Sequence, residues 1–266
     1  MLDNPRSPRV RVVSKLSQKS QRQAAQLFLV EGPQATREAL KHRPESVVDL
    51  FLTPASAERN ADLVTLAEGA GIDITRASEE VVAAISDTVT PQGVVCVSEF
   101  VNTSLASVLG SNPRNVAVLH RVKDPGNVGN IIRSADAAGA SAVILTAESV
   151  DPFNPKVVRA TTGSVFHIPI VSGVELAEVV SGLTAAGVTV CATEAQGDSI
   201  FELAQSDGLA APIAWVFGNE AHGLSEEDAA LADKRIAVPI FGQAESLSLQ
   251  TAAALCLYQT AFAQHG

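Results

Sequence analysis

The stretch "NVAVLHRVKDPGNVGNIIRSADAAGASAVILT", residues 115–146, contains the pattern that decides the fold. It begins with an apolar run, passes through a glycine-containing turn into a helical pattern over 127–139, and ends in a second apolar run. Two short apolar runs separated by one helix are typical of a β-α-β unit, whose strands lie parallel in a buried sheet. The stretch therefore predicts an α/β fold built on a parallel sheet.

The same alternation extends over most of the chain and predicts two α/β domains. The first covers residues 13–100 and the second covers residues 115–266. Residues 101–114 are rich in Asn, Ser, Gly and Pro and are interpreted as a linker, and residues 1–12 are expected to be disordered.

Composition excludes several classes of protein. Hydrophobic residues make up 46% of the 266 residues, enough for a sizeable core. No apolar run approaches the ~18 residues of a membrane span, and the polar, basic N-terminus lacks the apolar segment of a signal peptide. The three cysteines lie far apart and fit no metal spacing. A cytoplasmic protein with no membrane and no metal partner is expected.

Charge is distributed unevenly along the chain. Residues 1–43 hold nine of the 19 Lys and Arg and only three acidic residues, a net charge of about +6. Since the whole chain has a net charge of −10, the remaining residues carry about −16. A basic segment on an acidic body is a candidate contact for a polyanion such as RNA. A solvated chain terminus is the alternative. The candidate contacts are Arg9, Arg11, Lys15, Lys19 and Arg22.

Three polar, glycine-containing loops follow predicted strands of the second domain, where open α/β sheets bind their ligands. They are "HRVKDPGNVGN" (120–130), "FGNEAHGLS" (217–225) and "VPIFGQAESLS" (238–248). From spacing alone each has an ordinary interpretation. Asn127 fits a helix N-cap, Arg133 fits a water-facing helix side, and Glu220 fits either a helix-dipole partner or a ligand contact. His222 is more typical of a surface residue than of a general base.

The final helical pattern, residues 246–264, is apolar nearly all round. Such a helix requires burial on more than one side. The pattern therefore predicts a subunit interface.

Together, these loops resemble the SpoU/TrmH family of RNA ribose 2′-O-methyltransferases in the knotted SPOUT class. The resemblance lies in "DPGNVGNIIRSADAAGA" (124–140), "VFGNEAHGL" (216–224) and "VPIFGQAESLSLQTAAAL" (238–255), with an intervening "NPKVVRATTGSVFHIPI" (154–170). "FLVEGPQATREAL" (28–40) and "TPQGVVCV" (90–97) resemble the substrate-binding domain of its rRNA-modifying branch. The resemblance implies a small ribosomal-protein-like α/β domain followed by an α/β trefoil-knot domain.

The resemblance also implies S-adenosylmethionine as cofactor, RNA, and within it 23S rRNA, as substrate, and a homodimer formed through the C-terminal domain. The residues it places at the cofactor are Gly218, Asn219, Val238, Ile240 and Leu247.

The catalytic set implied by the resemblance is Arg133 with Asn127, Glu220 and Ser246. A ribose hydroxyl is a poor nucleophile whose proton must be drawn away as it attacks. Because a guanidinium stays protonated in proteins, a role in binding the adjacent phosphate and stabilising the developing alkoxide is favoured for Arg133. Deprotonated Arg133 acting as the base is the rival mechanism.

The third loop departs from the family pattern, since Ser248 stands where Ser-Leu-Asn is usual. This departure motivates a non-catalytic RNA-binding or ribosome-assembly protein as an alternative function. A tRNA 2′-O-methyltransferase is another, although tRNA-directed relatives tend to lack the N-terminal domain. The glycine-containing turn also fits a nicotinamide-dependent enzyme, but the third glycine and the distant acidic residue of that motif are missing.

Overall fold

A computed structural model of the chain describes residues 1–266, and these form two compact units. The first comprises 1–101 together with 153–167, and the second comprises 102–152 together with 168–266. Both domains expected from the sequence are therefore present. The segment 153–167 was expected in the second domain, but it folds with the first.

The first unit contains a four-stranded sheet flanked by helices. Its helices before residue 100 are α1 (Pro8–Ser14), α2 (Lys19–Ala25), α3 (Pro33–His42), α4 (Pro54–Arg59), α5 (Ala61–Gly69) and α6 (Glu79–Ile85). Its strands are β1 (Leu27–Glu31), β2 (Val47–Leu52), β3 (Ile74–Arg76) and β4 (Val94–Glu99). The strand order is β1-β4-β2-β3, with β4 antiparallel to both neighbours and β2 parallel to β3.

The expectation of a disordered N-terminus was wrong. Ser7 caps α1, and the helix presents Val10 and Val13 to the core of the first unit. Apolar residues at helical spacing bury one stripe of a helix, and Val10 is only 1% exposed. The backbone N–H of Leu2 also donates to the carbonyl of Arg76 at 2.7 Å. This burial orders the terminus.

The chain continues through α7 (Leu105–Gly110), β5 (Asn115–Leu119), α8 (Pro125–Ala137), β6 (Ala142–Thr146), α9 (Pro155–Thr161), β7 (Ile170–Val174), α10 (Leu176–Ala185), β8 (Thr189–Ser199), α11 (Ile200–Gln205), β9 (Ile213–Phe217), α12 (Glu226–Ala229), β10 (Lys234–Ala237) and α13 (Leu249–His265). Short 3-10 turns occur at Lys15–Ser17, Pro44–Ser46 and Ser164–Phe166. Of these elements, α9 and all three 3-10 turns belong to the first unit.

The second unit is built on a six-stranded, all-parallel sheet in the order β10-β8-β9-β5-β6-β7. Its central strands β5 and β9 are buried at every residue, as expected for a sheet covered on both faces. Because all strands are parallel, the ends of β5, β9 and β10 lie at the same edge. The three polar loops therefore emerge on one side of the sheet.

The segment 101–114 does not act as a linker, because all of it except Val101 is part of the second unit. It contains α7, which Ser104 caps and whose Leu105 and Val108 are buried in the core of that unit. The sequence did not predict this short helix, because the residues around it are rich in Asn, Ser, Gly and Pro, which are typical of loops. The structure contains no helix with the length and apolar character needed to cross a bilayer.

Candidate functional site

The first loop, residues 120–130, leads from β5 into the first turns of α8, and Asp124 lies directly before that helix begins. Its Oδ1 accepts the backbone N–H of Asn127 at 2.8 Å, so that Asp124, and not Asn127, is the N-cap of α8. Pro125 at the first helical position explains the difference, because proline disfavours helical backbone in the residue before it. Asn127 therefore lies in the first turn, and its side-chain amide is available for another contact.

That contact is Glu220, which joins the first loop to the second. Its carboxylate accepts the backbone N–H of Lys123 at 3.2 Å, the backbone N–H of Asp124 at 2.9 Å and Nδ2 of Asn127 at 3.3 Å. Burial opposes ionisation of Glu220, but donation from the Asp124 and Lys123 amides outweighs it and lowers the pKa of the carboxyl. Glu220 is therefore a carboxylate held at the beginning of α8.

The second loop folds back on itself as a tight turn. Asn219 and Gly223 exchange two backbone hydrogen bonds, of 3.1 and 2.8 Å, and Nδ2 of Asn219 donates to the carbonyl of Arg121 at 3.0 Å. A Cβ on Gly218 would lie 2.3 Å from the carbonyl carbon of Gly223. Only glycine allows this close approach. His222 is exposed, in agreement with the surface interpretation.

A polar pair that the sequence did not suggest lies beside this turn. His120 is 5% exposed, its Nδ1 lies 3.1 Å from Oγ1 of Thr146, and its Nε2 lies 3.2 Å from Oδ2 of Asp228 without the alignment of a hydrogen bond. Burial lowers the pKa of His120, although Asp228 opposes the shift. The pair is 108 residues apart in sequence, so spacing could not have predicted it.

The third loop, residues 238–248, forms one wall of an apolar cavity of about 290 Å³. Val238, Ile240 and Leu247 line it, and Ile200 and Phe201 of α11 contribute the facing side. Three of the five residues expected at the cofactor therefore share one cavity. The other two, Gly218 and Asn219, belong to the neighbouring turn.

Arg133 lies in a different cavity, a groove of about 480 Å³ between α8 and α13. Its side chain is exposed, and within the groove Nδ2 of Asn130 donates to Oε1 of Gln250 at 2.5 Å. The buried side of α8 carries Val128, Ile131 and other apolar residues, as the periodicity predicted. Arg133 is thus on the outward side, and its groove shares no lining residue with the apolar cavity of the third loop.

The final helix, α13, is partly uncovered. Leu255, Tyr258 and Phe262 are 42%, 38% and 67% exposed, although Cys256 and Leu257 of the same helix are fully buried. Ser248 caps this helix by accepting the backbone N–H of Thr251 at 3.3 Å. Apolar residues exposed along one helix form a patch typical of an interaction surface.

Of the catalytic candidates, the structure brings Asn127 and Glu220 into contact but leaves Arg133 and Ser246 separate from them. Arg133 follows Asn127 by six residues on the same helix, so it lies on another face. Ser246 is exposed within the third loop. Within one chain Arg133 therefore lines the groove between α8 and α13, Asn127 and Glu220 contact each other, and Ser246 lines neither of the two cavities described above.

The basic residues of the N-terminal segment fall into three classes. Arg11, Lys15 and Lys19 are exposed and form no ion pair. Arg9 pairs with Asp49 at 2.5 Å and lies over the ring of Phe51.

Arg22 contradicts the expectation of an RNA contact. It is 1% exposed and donates to the carbonyls of Leu16 and Ser17 at 2.9 and 2.8 Å. These carbonyls belong to the 3-10 turn that precedes α2, so the guanidinium is used to satisfy backbone acceptors inside the unit. It is not available to a phosphate.

Two family models match the chain. Residues 114–258 match the SpoU rRNA Methylase family, and residues 7–96 match the MRM3-like substrate binding domain. The chain belongs to the SpoU rRNA methylase family. Both parts of the resemblance drawn from the loops and from the N-terminal motifs are thereby confirmed.

Individual relatives resemble this SpoU-family chain over nearly its whole length. The 23S rRNA (guanosine(2553)-2′-O)-methyltransferase RlmP of Bacillus subtilis (strain 168) is 36% identical over 261 residues, which are 97% of each chain. An AdoMet-bound rRNA methyltransferase from Sinorhizobium meliloti superposes with a TM-score of 0.82 at 31% identity, covering 97% of this chain and 96% of that one.

The SpoU methyltransferase AviRb from Streptomyces viridochromogenes, in complex with AdoMet, has the same TM-score of 0.82 at 28% identity. It covers 97% of this SpoU-family chain, which spans 98% of AviRb. The expected fold class, a small α/β domain followed by a SPOUT-class domain, is confirmed by these structures.

Proposed function

We propose that this chain transfers the methyl group of S-adenosylmethionine to a ribose 2′-hydroxyl of 23S ribosomal RNA. Membership of the SpoU family and the presence of the MRM3-like domain support this reaction and substrate. The structural observation that carries the proposal is the convergence of three loops at one sheet edge, with Glu220 holding the first two together.

The cofactor fits the apolar cavity of the third loop and the adjoining turn. When bound, S-adenosylmethionine supplies an electrophilic methyl group on a sulfonium. Val238, Ile240 and Leu247 would enclose its apolar parts, since cofactor sites are lined mainly by hydrophobic side chains. Gly218 leaves room for the backbone to approach closely, and Asn219 presents polar groups at the same turn.

Glu220 is proposed as a positioning residue and not as the general base. A base must hold a free lone pair near the proton it removes. The carboxylate of Glu220 instead accepts two backbone N–H groups and the amide of Asn127. These donors lower the pKa of Glu220 and make it a weaker base, so that its function is to fix the geometry of the first two loops.

Arg133 is proposed as the catalytic arginine, with Ser246 as a polar neighbour. The guanidinium is exposed in an open groove, where it can bind the phosphate next to the target ribose. A fixed positive charge there stabilises the alkoxide that develops as the 2′-oxygen attacks. As the bond from oxygen to the methyl carbon forms, the bond from that carbon to sulfur would break, S-adenosylhomocysteine would leave, and the hydroxyl proton would pass to solvent water in the open groove. Asn130 and Gln250 lie beside it and offer amide groups to the same RNA segment.

A homodimer through the C-terminal domain is proposed to complete this site. Leu255, Tyr258 and Phe262 of α13 are exposed, and Tyr258 also lines the groove of Arg133. A second copy covering this face would bury the exposed apolar side chains next to Arg133. This arrangement would explain why the groove and the apolar cavity are separate in one chain.

In the first unit, Arg11, Lys15 and Lys19 are proposed to contact the RNA backbone. Their exposed, unpaired charges are suited to phosphate groups, and reversing them should weaken RNA binding with a reduced salt dependence. Arg9 is largely engaged with Asp49. The three buried, unpaired cysteines favour work in a reducing cytoplasm.

The test is methyl transfer from labelled S-adenosylmethionine to total RNA of a strain that lacks this protein, with ribose-methylation mapping of the product. Wild type should modify one 2′-hydroxyl in 23S rRNA, and R133A should not, while still binding the cofactor. The matched control is R114A, which removes an exposed guanidinium before β5, at the opposite end of that strand.

Three outcomes contradict parts of the proposal. Modification of tRNA alone would exclude the ribosomal substrate. Binding of both cofactor and RNA by wild type without transfer would favour the non-catalytic function. Equal loss of methyl transfer in R133A and R114A would contradict a specific catalytic role for Arg133.

A further inference from the structure

Three potential metal ligands meet in the first unit, outside the candidate site. Glu38 and His42 lie one turn apart on α3, and His167 ends the segment 153–167. Oε2 of Glu38 lies 3.3 Å from Nε2 of His42 and 3.2 Å from Nε2 of His167. All three ligand atoms lie within 4.8 Å of one another.

These separations are close to those of a tetrahedral metal site. Ligand bonds of roughly 2.0–2.1 Å place neighbouring ligand atoms roughly 3.3 Å apart around Zn²⁺. Two of the three edges already have this length. The third, between the two imidazole nitrogens, is no longer than 4.8 Å, and His42, whose side chain is 51% exposed, has room to rotate and adjust it.

Two surrounding residues hold the cluster in place. Nε2 of Gln34 donates to Oε1 of Glu38 at 2.9 Å, which orients the carboxylate and leaves Oε2 facing the two imidazoles. Gly163 has φ +111°, and a Cβ there would lie 2.5 Å from Cγ of Glu38. Glycine at this position therefore permits the close approach of the chain before His167 to α3.

We propose that Glu38, His42 and His167 bind a divalent transition metal ion, with Zn²⁺ as the representative ion. Two imidazoles and one carboxylate suit zinc and its neighbours, and leave a fourth position for water. The ion fastens the segment 153–167 to α3 and so stabilises the first unit. The sequence-based expectation of no metal considered only cysteine spacing; the Glu38–His42 spacing of one helical turn was the available signal.

The experiment is a zinc titration of the full chain, prepared without a histidine tag and stripped with a chelator, in competition with a chromophoric zinc indicator. One Zn²⁺ per chain is expected, with a rise in the unfolding temperature. H42Q and H167Q should each weaken binding at least roughly tenfold, because loss of a group that merely orients a ligand already costs that much.

H265Q is the matched control, since it removes an exposed histidine of α13 that belongs to the other unit. It should bind zinc as wild type does. Because His42 is half-exposed, H42Q should leave the unfolding temperature of the metal-free protein unchanged, which separates a lost ligand from a lost fold. The proposal is overturned if zinc does not bind stoichiometrically, or if H42Q and H167Q bind it like H265Q; the cluster is then only a glutamate that is hydrogen-bonded to His167 and lies close to His42.

Discussion

Replacing Glu220 by glutamine, E220Q, tests whether this carboxylate joins the first two loops. Glu220 accepts the backbone N–H groups of Lys123 and Asp124 on different oxygens, at 3.2 and 2.9 Å. Glutamine has one oxygen and one amino group. Whichever way it is oriented, its amino group faces an N–H donor and one backbone N–H at the beginning of α8 loses its acceptor.

The structure gives the size of the effect. A hydrogen bond to a charged group contributes about 1.5–3 kcal/mol, and Glu220 forms two with backbone donors. Because the residue is exposed, water replaces part of the lost interaction, and the expected loss of unfolding free energy is about 1–2 kcal/mol. At about 2–4 °C for each kcal/mol, the unfolding temperature of the second unit should fall by about 2–8 °C.

The effect should depend on pH with a defined sign. Donation from the backbone amides lowers the pKa of Glu220 in the folded protein, although burial opposes it. A carboxyl group whose pKa is lowered in the folded protein stabilises the fold at any pH above the pKa of the unfolded chain, about 4.3. This stabilisation is lost as the pH falls through the pKa of the folded protein. The difference between wild type and E220Q should therefore be constant near neutral pH and shrink below about pH 4.

The assay is urea unfolding of wild type, E220Q and E227Q at neutral and acidic pH. Glu227 of α12 is exposed and has neither a hydrogen bond nor an ion pair, so E227Q makes the same change of charge without the contacts. If E220Q and E227Q unfold alike at neutral pH, Glu220 does not hold the loops together. A difference that persisted unchanged at acidic pH would refute the electrostatic explanation.

Three further changes test other parts of the site. G218A should unfold at lower temperature and lose cofactor binding, because its Cβ would lie 2.3 Å from the carbonyl carbon of Gly223. The control G242A places its Cβ where no atom lies within 4 Å, so it should bind the cofactor as wild type does. Calorimetric titration with S-adenosylmethionine measures both. S248N should keep the helix cap and leave methyl transfer within roughly threefold of wild type, since Asn and Ser cap helices about equally well; loss of activity in a transfer assay would contradict this. F262S should shift the chain from dimer to monomer in analytical ultracentrifugation, and an unchanged dimer would show that the exposed face of α13 is not the interface.

The sequence predicted those features that depend on neighbouring residues. Apolar runs such as 115–119 became buried strands, and the stripe through Val128 and Ile131 became the buried side of α8. The three loops were expected at one edge of the sheet because parallel strands end together, and β5, β9 and β10 do so. For Glu220 the sequence offered a partner for the helix that begins after Ser225 or a ligand contact; its carboxylate instead accepts N–H groups at the beginning of α8, and the ligand contact stays a prediction.

Features that depend on distant residues were not predictable. His120 meets Asp228, and Glu38 meets His167, only after the chain has folded. The burial of Arg22 depends on the carbonyls of Leu16 and Ser17, which a 3-10 turn leaves open to its guanidinium. A side chain's charge therefore indicated its chemistry correctly, but its position in the fold decided whether that chemistry was available to a ligand.

The departure at Ser248 illustrates how position changes the meaning of a residue. The hydroxyl of Ser248 is used in the cap of α13, where it accepts the N–H of Thr251 and lies 2.7 Å from Oγ1 of the same residue. Asn130 and Gln250, which face each other across the groove of Arg133, provide amide donors and acceptors there. The groove thus keeps amide groups beside the arginine although the family's usual asparagine is absent. Ser248 therefore caps α13, as an asparagine there would, and the amide groups of Asn130 and Gln250 remain beside Arg133. The departure at this position is consistent with the proposed methyl transfer.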